Sequence, residues 1–433
     1  MAVEKFDCIV VGAGVAGTAT AYLLAKAGIN TLLIERGDYP GSKNVMGGVL
    51  YRHPTEEIIP GFWREAPLER PVVEQRLWIL DQDSAVTLGY KGKHFGREPY
   101  NNFTVLRAKF DRWFAKQAVE AGALLITETV VEDLLYEGNK VVGVRTGRAD
   151  GDVRADVVVL AEGVNSMLTQ KAGLQHDGLN TAQLAVAVKE VIALPKEKIE
   201  DRFNLEPNEG ATIELVGEST QGMVGTGFIY TNKDSISIGC GALLSQVVRN
   251  RWNPNELLER LKNHPVVKPL LEGGETKEYA GHLIPEGGYN AIPKLYRDGL
   301  LVVGDAAMLV NGIHREGSNM AMMSGKYAAE TVIHARERGD FSSATLSLYE
   351  KKLKDSFILK DLQKYQNASA FFETNDHLFT LYPKLANFVA REFTTVDNVP
   401  KKEKQRKIME GVTAKRSKFQ LAKDFYRLWR VMG

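Results

Sequence analysis

Cysteine is nearly missing from this chain: of 433 residues, only Cys8 and Cys240 carry thiols. Both stand inside apolar runs typical of buried thiols, FDCIVV and SISIGCGALL. Two thiols are too few for a disulfide framework, and they exclude a four-cysteine iron–sulfur cluster held by this chain alone. Charge of one sign is equally scarce. Lysine and arginine number 55 against 54 aspartate and glutamate, a net +1, so no global field recruits nucleic acid. No run approaches ~18 consecutive apolar residues, so no membrane-spanning helix is expected. The eight histidines show no metal-ligand spacing, and no Ser-His-Asp or Cys-His nucleophilic arrangement is legible. The first apolar strand begins almost at once, which leaves no room for a secretory signal and makes a cytoplasmic location the simplest expectation.

What is present begins at Phe6. Phe6 to Val11 reads as a buried parallel strand, followed directly by Gly12-Ala13-Gly14-Val15-Ala16-Gly17. An Ala/Leu-rich helix then runs to about Ala27, a second strand spans Thr31 to Ile34, and Glu35 closes it eighteen residues after Gly17. Each part has a task in binding an adenine dinucleotide. Gly12 allows the tight turn, Gly14 lets the backbone approach a pyrophosphate, and Gly17 lets helix and strand pack closely. The helix N-terminus offers free N–H groups and partial positive charge to the pyrophosphate. Glu35 can accept both ribose hydroxyls, and Arg36 beside it is read either as a pairing group or as a solvated strand end.

Two distant segments choose FAD over NAD. Asp156 to Leu160 is a second apolar strand ending in the turn Ala161-Glu162-Gly163. Gly299 to Val303 is a third, followed by Gly304-Asp305-Ala306-Ala307 and by Gly317-Ser318-Asn319 opening an Ala-rich helix. Asp305 at a strand end can bond a ribityl hydroxyl, and the helix would aim its positive end at the flavin pyrimidine edge. Together these segments resemble the FAD-binding pattern of the glutathione-reductase and hydroxylase superfamily. The expected fold is therefore α/β, a Rossmann-like FAD-binding domain with an inserted β-sheet substrate domain and a helical C-terminal extension. Residues 1–71, 101–180 and 286–340 are assigned to the FAD domain, 72–100 and 181–285 to the sheet, and 341–433 to the helical region. Phe110, Trp113, Phe114 and Ala118 mark a helix within 104–122, and Glu137-Gly138-Asn139 marks a hairpin turn.

The segment Gly37-Asp-Tyr-Pro-Gly-Ser-Lys-Asn-Val-Met-Gly-Gly-Val-Leu-Tyr51 resembles the signature loop of the electron-transfer-flavoprotein:quinone oxidoreductase family, nearest its FixC-type (EtfC) branch. Ile284-Pro-Glu-Gly-Gly288 and the stretch from Gly304 to Glu330 fit the same family, and the likeness runs to about residue 380. It implies a flavoprotein that accepts electrons from an electron-transfer flavoprotein, through its α and β subunits, and delivers them to a quinone such as menaquinone or ubiquinone. Longer members carry a ferredoxin-like iron–sulfur domain that this chain lacks. The resemblance therefore implies a separate small ferredoxin-like subunit, with an electron-bifurcating complex as one setting. It also implies that Lys43, Asn44, Gly47 and Gly48 edge the flavin ring, that Arg107 contacts cofactor phosphates, and that Val131 offers backbone to the adenine. Gly163, Gly304, Asp305, Gly317 and Asn319 complete the expected cofactor contacts. Gly287, Gly288, Tyr289 and His282 are the candidates for the quinone site, and no metal site is expected.

Two other readings are weighed. One is an FAD-dependent monooxygenase, which would need a nicotinamide donor and would carry a histidine where Met308 stands, or a related prenyl reductase. A non-catalytic flavin-bearing scaffold would not be reduced by a donor flavoprotein. Residues 401–433 hold eleven basic residues against three acidic, an excess of eight. Phe419, Ala422, Tyr426, Trp429 and Met432 recur there at helical spacing. Such a helix either packs this face on its own domain, lies on an anionic bilayer at the inner face of the cell membrane, or docks an acidic partner.

Overall fold

A computed structural model describes residues 5–43, 48–175, 178 and 180–433. The chain divides into two compact units, 1–71 with 97–184 and 282–366, and 72–96 with 185–281 and 367–433.

The first unit is built on parallel strands whose C-terminal halves are continuous apolar runs, as strand segments covered on both faces must be. Strand β1 (Lys5–Val11) pairs in parallel with β2 (Thr31–Ile34) on one side and with β3 (Asp152–Leu160) on the other. Strand β4 (Leu300–Val302) continues the sheet beside β3, and Leu124–Ile126 lies outside β2. Ile9, Val10, Val157 to Leu160 and Leu300 to Val302 are buried. Helix α1 (Val15–Lys26) connects β1 to β2; α2 (Arg107–Glu120) and α3 (Ser318–Arg338) follow later in the chain. Phe110, Phe114 and Ala118 of α2 are buried, as their spacing predicts. Gly138 turns the hairpin between Val131–Glu137 and Lys140–Thr146 with φ +59°.

The second unit is a mainly antiparallel sheet. Leu184–Ala193, Ser235–Leu243, Gly225–Thr231 and Gly210–Gly217 pair in that order, and the last runs parallel to the second half of Leu68–Leu80. Residues 341–433 are helical but not a unit of their own: those to Gln366 group with the first unit and those from Asn367 with the second. The helices Tyr382–Thr394 (α4), Lys401–Lys415 (α5) and Lys418–Met432 (α6) close the chain. A capping box of Ser417 and Gln420 starts α6. Packing of the Phe419, Tyr426 and Trp429 face on its own unit does not occur, because all three rings are exposed. Leu421, Asp424 and Leu428 occupy the inward side instead. Among the described residues no helix is long and apolar enough to cross a membrane.

Both thiols are buried and free, and burial pushes the Cys240 thiol up to about 12 and raises Cys8 as well. Neither thiol is therefore expected to react with a thiolate-seeking reagent in native, mildly alkaline solution, while both should react after denaturation. Labelling before unfolding would contradict this placement.

Candidate functional site

The turn after β1 is shaped by two glycines that leave no room for a side chain. Gly12 has φ +101°, and a Cβ there would overlap the Ala161 carbonyl at the end of β3. A Cβ at Gly17 would overlap the Gly12 carbonyl oxygen, so α1 presses directly on the turn. Gly14 is different in kind. Its backbone is extended (φ −71°, ψ 179°), and a Cβ there meets none of the described residues beyond its chain neighbours within 4 Å. No side chain caps α1, so its first-turn amides face that open space. Glu35 is buried at its edge and accepts the Ala13 N–H at 2.9 Å and the Gly37 N–H at 2.7 Å. Each carboxylate oxygen keeps lone-pair capacity for a further donor.

The N-terminus of α3 is held beside that of α1 by close backbone approach. Gly304 (φ +62°) would place a Cβ 2.9 Å from the Ala16 Cβ, and its amide donates to Ser324 Oγ at 3.0 Å. Gly325 of α3 leaves no space for a Cβ against the Ala16 carbonyl oxygen, and Thr20 Oγ1 donates to the Gly325 carbonyl at 3.1 Å. Helix α3 begins after Gly317 without a side-chain cap. Asn319 in its first turn is buried, and its Oδ1 has no hydrogen-bond partner. An orphaned buried acceptor costs free energy unless something donates to it.

Arg107 opens α2 and is almost fully buried. Its guanidinium grips Asp111 through two bonds of 2.7 and 2.8 Å and reaches Ser318 Oγ at 3.3 Å. Burial raises the Asp305 carboxyl above its usual range, and the Arg107 charge opposes that rise. His282 is kept neutral by burial first, then by the charges of Arg107 and Arg36. Arg36, Arg107, Asp305 and His282, far apart in sequence, thus share one electrostatic neighbourhood.

The remaining candidates are more dispersed. Arg36 and Lys43 are exposed, and Gly48 is buried with its carbonyl accepting the Val105 N–H at 2.9 Å. Asn44 and Gly47 lie outside the described residues. Val131 begins its strand half-buried, and Gly163 (φ +76°) borders open space. Gly287 is crowded by Ala291 and Gln183, Gly288 (φ +60°) is open, and Tyr289 is half-buried in the turn Gly288–Ala291. Sequence reasoning missed Asp111, Glu162 and Glu286. Glu162 caps the helix at Met167–Lys171 through the Leu168 and Thr169 amides at 2.9 and 2.8 Å. Glu286 lies against Gly312, and burial pushes its carboxyl up to about 7. The acid in Ile284-Pro-Glu-Gly-Gly was the available signal for it.

The donor set fits FAD. Two uncapped helix N-termini, an open space in front of Gly14, an acid at the strand end and an orphaned amide oxygen are what an extended, pyrophosphate-bearing flavin would satisfy. Residues 7–177 and 100–331 each match an FAD-dependent oxidoreductase domain, and residues 368–433 match the ETF-QO/FixC family C-terminal domain. The chain is 50% identical to the protein FixC of Azotobacter vinelandii over 99% of both chains. It is 42% identical to the probable electron transfer flavoprotein-quinone oxidoreductase YdiS of Escherichia coli over 98% of both. A geranylgeranyl bacteriochlorophyll reductase-like structure from Thermoplasma acidophilum shares the fold, with a TM-score of 0.74 and 23% identity over 98% of this chain and 99% of that one. With its glycine-lined dinucleotide cradle and its likeness along the whole length of FixC, this chain belongs to the ETF-QO/FixC family of FAD-dependent oxidoreductases.

Proposed function

We propose that this enzyme takes electrons from the α and β subunits of an electron-transfer flavoprotein and passes them to a quinone. A separate small ferredoxin-like subunit supplies any iron–sulfur centre. The observation that carries this reading is the likeness to YdiS, named a probable electron transfer flavoprotein-quinone oxidoreductase, over 98% of both chains. Peripheral attachment at the inner face of the cell membrane belongs to the same reading, because quinones of these classes dissolve in lipid.

Bound FAD supplies the redox chemistry, accepting electrons and releasing them. The chain's part is binding, orientation and electrostatics. Gly12, Gly14 and Gly17 shape the turn that receives the pyrophosphate, with the α1 amides pointing at it, and Glu35 takes the adenosine ribose hydroxyls. Val131 and Gly163 lend backbone near the adenosine end, and Arg36 stands at its rim. Arg107 faces the phosphates while Asp111 fixes its direction. Asp305 accepts from a ribityl hydroxyl, and Gly304 lets that turn close on α1. Gly317 and Asn319 present the positive end of α3 to the ring, where reduction places negative charge. Lys43, Asn44, Gly47 and Gly48 edge the ring. His282, Gly287, Gly288 and Tyr289 line the quinone approach, where a neutral His282 can relay a proton, taking one at one ring nitrogen as it gives one up at the other.

The test is anaerobic. The FAD-loaded enzyme is mixed with reduced electron-transfer flavoprotein, and a menaquinone analogue is then added while the flavin absorbance is followed. Bleaching followed by prompt recovery is expected; no bleaching, even with the ferredoxin-like subunit present, refutes the reading. In the same assay His282→Gln is expected to slow recovery by about 10²-fold, the low end of what a positioned proton carrier contributes, and to leave bleaching unchanged. Equal recovery rates would remove His282 from the quinone site.

A further inference from the structure

Helix α6 has two apolar faces, and only one is used. On the inner side Asp424 is almost fully buried and is held by Arg416 through bonds of 2.7 and 2.8 Å. The Tyr382 hydroxyl donates to it at 2.9 Å, and His377 Nε2 lies at 3.1 Å. Leu421, Leu428 and Val431 share that side and are half-buried. A turn of 100° per residue places Phe419, Ala422, Tyr426 and Trp429 roughly opposite Asp424, with Phe425 adjoining them. These rings are 78%, 56% and 62% exposed at Phe419, Tyr426 and Trp429, and 73% at Phe425. Lys418, Lys423, Arg427 and Arg430 are exposed along the same helix. Asp424 is the only acid of α6, and it is turned inward. The outward surface therefore offers aromatic rings and cations with no carboxylate among them.

We propose that α6 lies flat on an anionic lipid bilayer. Phe419, Phe425, Tyr426 and Trp429 seat at the boundary of headgroups and acyl chains, and Lys418, Lys423, Arg427 and Arg430 sit among the lipid phosphates. This deepens the peripheral attachment proposed above and rests on it. The chemistry favours lipid over protein on two counts. Tryptophan and tyrosine, apolar in body and polar at one edge, suit the membrane interface, with long basic side chains reaching past them to the phosphates. An acidic protein patch would answer the cations alone, whereas an anionic bilayer boundary takes the cations and the flanking rings together. The Arg416–Asp424 clamp orients the helix so that the rings point outward together.

The experiment is flotation of the full FAD-loaded chain with two kinds of vesicle, phosphatidylcholine alone and phosphatidylcholine with an equal part of phosphatidylglycerol. The wild type is expected to float with the second kind and to stay behind with the first. Two variants are compared, Phe419→Ser/Phe425→Ser/Trp429→Ser and Lys423→Glu/Arg427→Glu/Arg430→Glu. All six positions are exposed, so circular dichroism and flavin content should be unchanged. Each variant is expected to lose at least ~10-fold in vesicle partition. Brominated lipid should quench wild-type tryptophan fluorescence, and Trp429→Phe should remove that quenching. If the wild type floats and both variants float equally, the surface is not α6 and peripheral attachment stands. If the wild type floats with neither vesicle, both statements fall. Equal binding to both vesicle types overturns the role of the cations.

Discussion

Gly14→Val is expected to leave the apoprotein's melting temperature unchanged and to abolish retention of FAD through purification. The two outcomes separate because none of the described residues, its chain neighbours aside, lies within 4 Å of a Cβ at Gly14, and its backbone angles suit any residue. The Cβ points instead to where a ligand would approach the α1 amides. Gly17→Val is the contrast: its side chain would collide with the Gly12 carbonyl, so stability and flavin should fall together. Overpacking of this kind typically costs ~1–3 kcal/mol. Flavin content by absorbance, with thermal melts of both apoproteins, decides the matter. A yellow Gly14→Val protein with full flavin occupancy would remove the pyrophosphate from this turn.

Arg107→Met should destabilise the fold by ~3–5 kcal/mol, because it strands the Asp111 carboxylate in the interior without its partner. The double variant Arg107→Met/Asp111→Leu is expected to regain most of that stability, since it removes both charges at once. It should not regain FAD. The guanidinium near Ser318 and Asp305 is then gone. Denaturant unfolding gives the stability of each variant, and flavin titration gives the affinity. If the double variant binds FAD as the wild type does, Arg107 serves only to neutralise Asp111.

The contrast between these two sites mirrors what could be learned from sequence. The turn from Gly12 to Glu35 is local: its glycines, helix and acid lie within thirty residues, and each is demanded by a backbone constraint that sequence spacing expresses. The Rossmann-like strands were legible for the same reason, since runs such as Val157 to Leu160 are apolar without alternation. Arg107 could be matched to a family role, but its grip on Asp111 could not be foreseen from an i,i+4 pair that is ordinarily solvent-exposed. Glu286 stayed hidden because the backbone its carboxylate lies against, at Gly312, is distant in sequence. The end of the chain shows the limit most clearly. Helical spacing in α6 is satisfied by Phe419, Tyr426 and Trp429 and equally by Leu421, Leu428 and Val431. Periodicity alone cannot rank two such faces; the Arg416–Asp424 pair does.

The placement of Cys8 and Cys240 has a practical consequence for spectroscopy. With both native thiols sealed in the interior, a cysteine introduced on the surface would be the single reactive handle on the molecule. Arg427→Cys on α6 could carry a nitroxide or a fluorophore without first building a cysteine-free background. Distances from such a probe to the flavin, read in solution and on vesicles, would then report how the enzyme is oriented as it works.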